Sequence, residues 1–316
     1  MVVTYFYMTQ KKILAAIIFL MVSVVAFPSF AQKKWPGIVL YSIEKNSITN
    51  NFIIDPAVRI SKGQYSYPVP TPPEIFEAPD AQQVLEGLFR RFCREEYPRG
   101  KKFELYVDGN KCGTALVTNL DTMNSCSAVI SEVTLSYIDS TVRSFKGHGL
   151  VIAAAHPKKP IPKFPIDSVL EASILQYGKE EFLRRGVKKE IADKGYIFEL
   201  RSTDLDGDGK PEYLVTYYII GEEVRRADYE ADMQYSLTAI LEPDGNSFKL
   251  LFAHYPDPGT SIETHYYHFV DVLDFAGDGV CSVILQKRNA STWDYILVQK
   301  KGDTWEELYE GAGGGC

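Results

Sequence analysis

Two stretches 70 residues apart repeat the same order of elements, and that repetition restricts the fold more than any other feature of the chain. "FELRSTDLDGDGKPEYLVTY" aligns with "HFVDVLDFAGDGVCSVILQK": Asp204 meets Asp274, Gly207 meets Gly277, and Asp208-Gly209 meets Asp278-Gly279. Downstream, "TAILEPDGNSFKLLF" aligns with "YILVQKKGDTWEELY", with Phe248 over Trp305. Each copy reads strand, acidic loop, strand, strand, turn, strand. Such repetition implies stacked units that bury a common core. Two units are too few to close a propeller, which typically takes four to eight. Three solutions stay open: the two sheets pack on each other, they pack on the helices of 167–193, or the first domain covers their exposed edges.

In the first copy Asp204, Asp206, Asp208 and Glu212 fall within nine positions, directly ahead of a strand-like run. Carboxylates crowded in this way repel one another unless a counter-ion lies among them. A hard cation such as Ca²⁺ prefers about six to eight oxygens at roughly 2.4 Å, and alternating Asp side chains on a tight loop supply them. With Asp204 at position 1, Asp206 and Asp208 stand at 3 and 5, and Gly209 at 6 permits a sharp turn. The Lys210 carbonyl serves from 7 and Glu212 from 9. An EF-hand requires a bidentate Glu at position 12, but Val215 is there and the flanks read as strands. The rival is a metal-free Asp/Gly turn held by local hydrogen bonds. In the second copy Ala276 replaces Asp206 and Ser282 replaces Glu212, so that loop is expected to keep its shape and lose the ion.

The pattern D-x-D-x-D-G-x-x-E between two strands resembles the calcium loop of FG-GAP/VCBS-type repeats, the blades of integrin-like β-propellers. The resemblance covers residues 196–316 and implies two blade-like units. It carries nothing for residues 35–195.

The N-terminus has the layout of a cleavable secretory signal: Lys11 and Lys12, an apolar core from Ile13 to Phe27, then Pro28 and Ser29-Phe30-Ala31. Met8 suffices as a start. The rival, an uncleaved anchor helix, has an apolar run of about 15 residues, against the roughly 20 that span a bilayer. Cleavage after Ala31 places the chain in the periplasm or outside the cell, and no Cys near Ala31 offers a lipid anchor. The membrane is then met only through the leader. The net charge of −7 argues against a nucleic-acid partner, since phosphate binding needs clustered Lys and Arg. An extracytoplasmic protein or glycan is the expected partner class. In an oxidising compartment Cys93, Cys112, Cys126, Cys281 and Cys316 are candidates for disulfides, and their spacing fits no zinc pattern. Cys112 and Cys126 flank a strand and a turn-rich stretch and form the most plausible pair. Buried free thiols are the alternative.

Apolar content of 45% with 20 Tyr and 17 Phe indicates a globular, β-rich α+β chain. Residues 35–155 read as a small α+β domain. Its strands are "GIVLYSIE", "NFIIDPAVRIS", "SAVISEVTLSYI" and "GLVIAAA", with a hairpin around Asp108-Gly109-Asn110. Its one dominant helix starts at Asp80, with Asp80 and Gln83 as a capping box. Residues 156–165, "HPKKPIPKFP", read as a solvated proline-rich linker. Residues 166–195 read as a helical connector started by Asp167 and ended at Gly195. Residues 196–316 hold the two repeats.

The sequence holds no GxSxG, HExxH, Walker loop or GxGxxG. Of His148, His156, His254, His265 and His268, only "HYYH" clusters, and residues three apart on a strand face opposite sides. The aromatic runs "HYYHF" and "YLVTYYII" read as core. Two function classes remain: a non-catalytic binding or scaffold protein with a structural Ca²⁺, and a hydrolase with an unrecognised site in residues 35–155. A deep cleft there with convergent titratable groups would favour the hydrolase.

Overall fold

Alternation along the second repeat explains how two sheets suffice. The computed structural model describes residues 37–45, 50–71, 79–121, 130–137, 149–152, 160–220, 233–256, 266–289 and 292–315. The expected leader with Ala31, together with Cys126, Cys316, His148, His156 and His265, lies outside them. The first repeat forms the meander β8 (Tyr196–Thr203), β9 (Glu212–Ile220), β10 (Met233–Asp244) and β11 (Ser247–His254). The second forms β12 (Tyr266–Leu273), β13 (Ser282–Arg288), β14 (Thr292–Lys301) and β15 (Thr304–Gly315). In the second sheet Val283, Leu285, Ile296 and Val298 pack with Leu205, Leu214 and Ile240 of the first repeat. Their neighbours Ile284, Tyr295 and Leu297 point the other way. A strand buried on both faces reads as a continuous apolar run rather than an alternating one. All eight residues of β12 are buried.

The far face of each sheet is covered by something else. Helix α2 (Ser168–Arg184) lays Ile174, Tyr177 and Phe182 against Tyr213, Val215, Tyr217 and Ile219 of β9. Asp167 starts it as expected, its carboxylate accepting the Leu170 N–H at 2.8 Å. A short turn of helix, α3 (Lys189–Ala192), follows. The outer face of the second sheet packs on Leu40, Val58, Tyr106, Leu150 and Ile152. These come from a barrel of β1 (Ile38–Lys45), β2 (Phe52–Ser61), β4 (Lys102–Val107), β5 (Asn110–Asp121), β6 (Ile130–Tyr137) and β7 (Gly149–Ile152). The strand order is β1-β7-β4-β5-β6-β2, and β1 pairs back onto β2, so every neighbour is antiparallel and the ring closes. Strand β3 (Gln64–Ser66) pairs with the other end of β2. The order of layers is therefore helix, sheet, sheet, barrel. Closure of the barrel leaves it few free edges.

Helix α1 (Ala81–Glu96) brings Phe92, Cys93 and Glu96 into the barrel's core, where Phe92 packs on Tyr97 and Tyr97 on Tyr41 and Phe103. The expected capping box fails. Asp80 makes no side-chain cap bond, and its φ of −107° and ψ of 21° are not the extended geometry a cap residue uses. The hairpin was legible: Asp108 and Gly109 have φ of 49° and 69°, as a two-residue I′ turn requires. The described part of the proline-rich segment departs from the solvated reading. Ile161 is buried, and Lys163 bridges to Thr203 of β8. Proline lacks an N–H but keeps its carbonyl, and Thr203 Oγ1 donates to Pro162 O at 2.9 Å.

Candidate metal loop

The first acidic loop, 204–211, links β8 to β9, and Thr203 pairs directly with Glu212 across its mouth. Asp204 is buried and accepts two backbone N–H groups, Gly207 at 2.7 Å and Gly209 at 3.0 Å. Asp206 and Asp208 accept the Asp208 and Lys210 N–H groups. One carboxylate oxygen from each of Asp204, Asp206 and Asp208 lies within 4.8 Å of the others. Two oxygens on opposite sides of one Ca²⁺ stand roughly that far apart, so the three can share an ion. The donors are all oxygens, which suits a hard cation over zinc.

Glu212 is held differently. It is 1% exposed, and its Oε2 accepts the Leu205 N–H at 2.6 Å, so the carboxylate reaches back into the loop. Its Oε1 is buried and has no hydrogen-bond partner. Burial pushes this carboxyl up to about 7, with Asp206, Asp204 and Asp208 adding to the rise and the Leu205 N–H opposing it. Glu212 is outside the group of three. Lys210, expected to offer its carbonyl, places its ammonium 3.1 Å from Asp208 Oδ2. The Lys210 N–H is the leading cause that lowers the Asp208 carboxyl.

The second loop, 274–281, repeats the scaffold. Asp274 accepts Gly277 N–H at 2.6 Å and Gly279 N–H at 3.0 Å, and Leu273 pairs with Ser282. It carries only Asp274 and Asp278 as acids. The two loops touch. Cys281 N–H donates to Leu205 O at 2.7 Å, and a Cβ on Gly207 would lie 3.1 Å from the Gly279 carbonyl oxygen. Gly207 has φ of 77°, so both its backbone and its neighbour call for glycine.

One residue of this site was invisible in the motif. Lys300, from β14 of the second sheet, sets its ammonium 2.5 Å from Asp206 Oδ2. That bond is the leading cause that raises the Lys300 pKa. No local pattern marks Lys300, which is 94 positions away.

Cys112 is a buried free thiol beside Leu105 O, and Cys93 and Cys281 are likewise buried. Tyr213, Tyr217, Tyr218, Tyr266 and Tyr267 are core, and His268 is 7% exposed among Phe198 and Tyr266. In the barrel, Glu96 is held by Tyr41, Lys101 and Arg59. Asp55 accepts from Trp293 Nε1 at 2.8 Å and Tyr295 OH at 2.9 Å. Asp108 borders a cavity of about 190 Å³ that Lys163, Arg201 and Ser202 also line. Lys163 and Arg201 lie 2.6 and 3.3 Å from its carboxylate. Among the described residues no helix is long and apolar enough to cross a membrane.

No protein-family model, curated protein or solved structure matches this chain.

Proposed function

We propose that this chain is an exported, non-catalytic binding or scaffold protein whose first repeat loop holds one structural Ca²⁺. The observation that carries the metal is the convergence of Asp204, Asp206 and Asp208 oxygens within 4.8 Å, in a loop whose Glu212 has a buried oxygen without a donor. Clustered carboxylates repel one another, and a cation among the three Asp oxygens relieves that repulsion. The loop resembles those of FG-GAP/VCBS-type repeats, and both repeats are blade-like four-stranded meanders. Helix α2 on one side and the barrel on the other take the place of further blades. The lysine-led apolar leader supports export, with an extracytoplasmic protein or glycan as partner.

Calorimetric titration with Ca²⁺ tests the reading. One site per chain is expected, with Kd about 0.1–1 mM, the range of extracellular calcium modules. At roughly 1 mM Ca²⁺ and a Kd near 0.1 mM, linkage adds about 1.4 kcal/mol of stability. No heat of binding at millimolar Ca²⁺ would end the calcium reading. A mature N-terminus near Gln32, found by mass spectrometry, checks the export arm.

A further inference from the structure

We infer that Lys300 is a built-in counter-ion that competes with the divalent cation for Asp206, so that metal binding releases a link between the two repeat sheets. The inference rests on the calcium reading above and adds a control on its affinity. Asp206 sits in the loop of the first sheet, and Lys300 belongs to β14 of the second. Their contact at 2.5 Å is at least as short as a normal charge-assisted bond. The Asp206 side chain is 11% exposed and that of Lys300 31%, so the pair is screened less than one in open water.

The loop's second observation is independent of its acids being clustered. Glu212 is 1% exposed, its other oxygen is fixed on Leu205 N–H inside the loop, and Oε1 is unpartnered. Lys300 therefore leaves the loop incompletely satisfied. It offsets the charge of Asp206, while Lys210 pairs with Asp208 from the solvent side.

A divalent ion bound to Asp206 at about 2.4 Å would face the ammonium across the same carboxylate. Like charges a few ångströms apart repel, and the ammonium must move outward or weaken its bond. The coupling is reciprocal: whatever the Lys300–Asp206 contact subtracts from metal affinity, bound metal subtracts from the contact. In the second repeat Ala276 stands where Asp206 does, so the relation is built into one loop alone.

Calcium titrations of the full mature chain test this, using wild type, Lys300→Gln, Lys300→Arg, Asp206→Asn, and the Asp206→Asn/Lys300→Gln pair. Lys300→Gln is expected to tighten Ca²⁺ about three- to tenfold, the scale of a partly exposed ion pair. Lys300→Arg, which keeps the charge, should stay near wild type. Lys300→Gln in the Asp206→Asn background should give little or none of that gain. Equal affinity of wild type and Lys300→Gln overturns the inference and leaves the calcium site standing. Absence of Ca²⁺ binding in every variant overturns the calcium reading and this inference with it.

Discussion

Asp271, on β12 of the second sheet, accepts the backbone N–H of Gly109 at 2.9 Å, which ties a barrel hairpin to a strand 162 residues later. The same oxygen takes the Val272 N–H at 2.8 Å. Arg201 extends the junction by donating to the Phe269 carbonyl at 2.8 Å while lying 3.3 Å from Asp108. Residues from the barrel and both repeat sheets meet here.

That junction makes Gly109 hard to replace. Its φ is 69°, and an added Cβ would lie 2.1 Å from Ile161 Cδ1 and 3.0 Å from the Val272 carbonyl oxygen. The isoleucine end can swing away, but the carbonyl belongs to a paired strand. Gly109→Ala should cost about 2 kcal/mol. Thermal melts should show a fall of roughly 4–8 °C. A loss under one degree would mean that the hairpin turn is not held against β12.

How much of this could be read beforehand depends on the range of the forces involved. The Asp108-Gly109 turn and both acidic loops declare themselves because positive φ and Asx-type bonds involve only neighbours in sequence. The pairing of β1 with both β2 and β7 does not, since closing the barrel joins residues about 110 positions apart. Lys300 fails to show for the same reason. The packing of helix, sheet, sheet and barrel was open among three alternatives; the two sheets pack on each other, α2 covers one outer face and the barrel the other. Ile161 was hidden by its proline neighbours, which are common in solvated linkers but also suit an extended segment laid along a strand.

The two helix starts provide a paired test of capping. Asp167 has the extended backbone of a cap residue, with ψ of 171°, and its side chain accepts the Leu170 N–H. Asp80 offers α1 only its carbonyl, which accepts the Val84 N–H at 3.2 Å and survives any change of side chain. Asp167→Ala should therefore cost about 1 kcal/mol. Asp80→Ala should stay within about 0.5 kcal/mol of wild type. Denaturant midpoints compare them, and equal losses would contradict the assignment.

Asp55 gives the stability a pH dependence of known sign. It is 5% exposed, and burial pushes its carboxyl up to about 7 despite the opposing Trp293 and Tyr295 hydrogen bonds. The nearby charges are Glu44, which raises it, and Arg288, which lowers it. An unfolded Asp titrates near 3.9, so between about pH 4 and 7 the folded chain keeps a proton that the unfolded chain has released. Stability from this group is complete below that window and is lost as pH rises through it. Asp271, also pushed up to about 7 by burial, acts in the same direction. Asp55→Asn retains an acceptor for Trp293 and Tyr295. It should flatten the decline between pH 4 and pH 8, by at most roughly 4 kcal/mol for a shift of three units. Parallel pH profiles for the two proteins would show that Asp55 ionises normally.

The two acidic loops separate what an Asp does for the backbone from what it does for an ion. Asp204 and Asp274 each accept two loop N–H groups in the same arrangement, at positions three and five residues on. Removing either carboxylate orphans those donors, so Asp204→Ala and Asp274→Ala should each cost about 2 kcal/mol in EDTA. The difference should emerge only with calcium. Asp204 converges with Asp206 and Asp208, whereas Asp274 has Ala276 in place of a third acid. Asp274→Ala should keep the full calcium-induced rise in melting temperature, and Asp204→Ala should lose it. The comparison removes the loop's own stability from the result, because both variants suffer the same loss of backbone hydrogen bonds. If calcium stabilises Asp204→Ala as much as wild type, the ion binds elsewhere. If Asp274→Ala loses the calcium response instead, the second loop holds the metal in spite of its two missing acids.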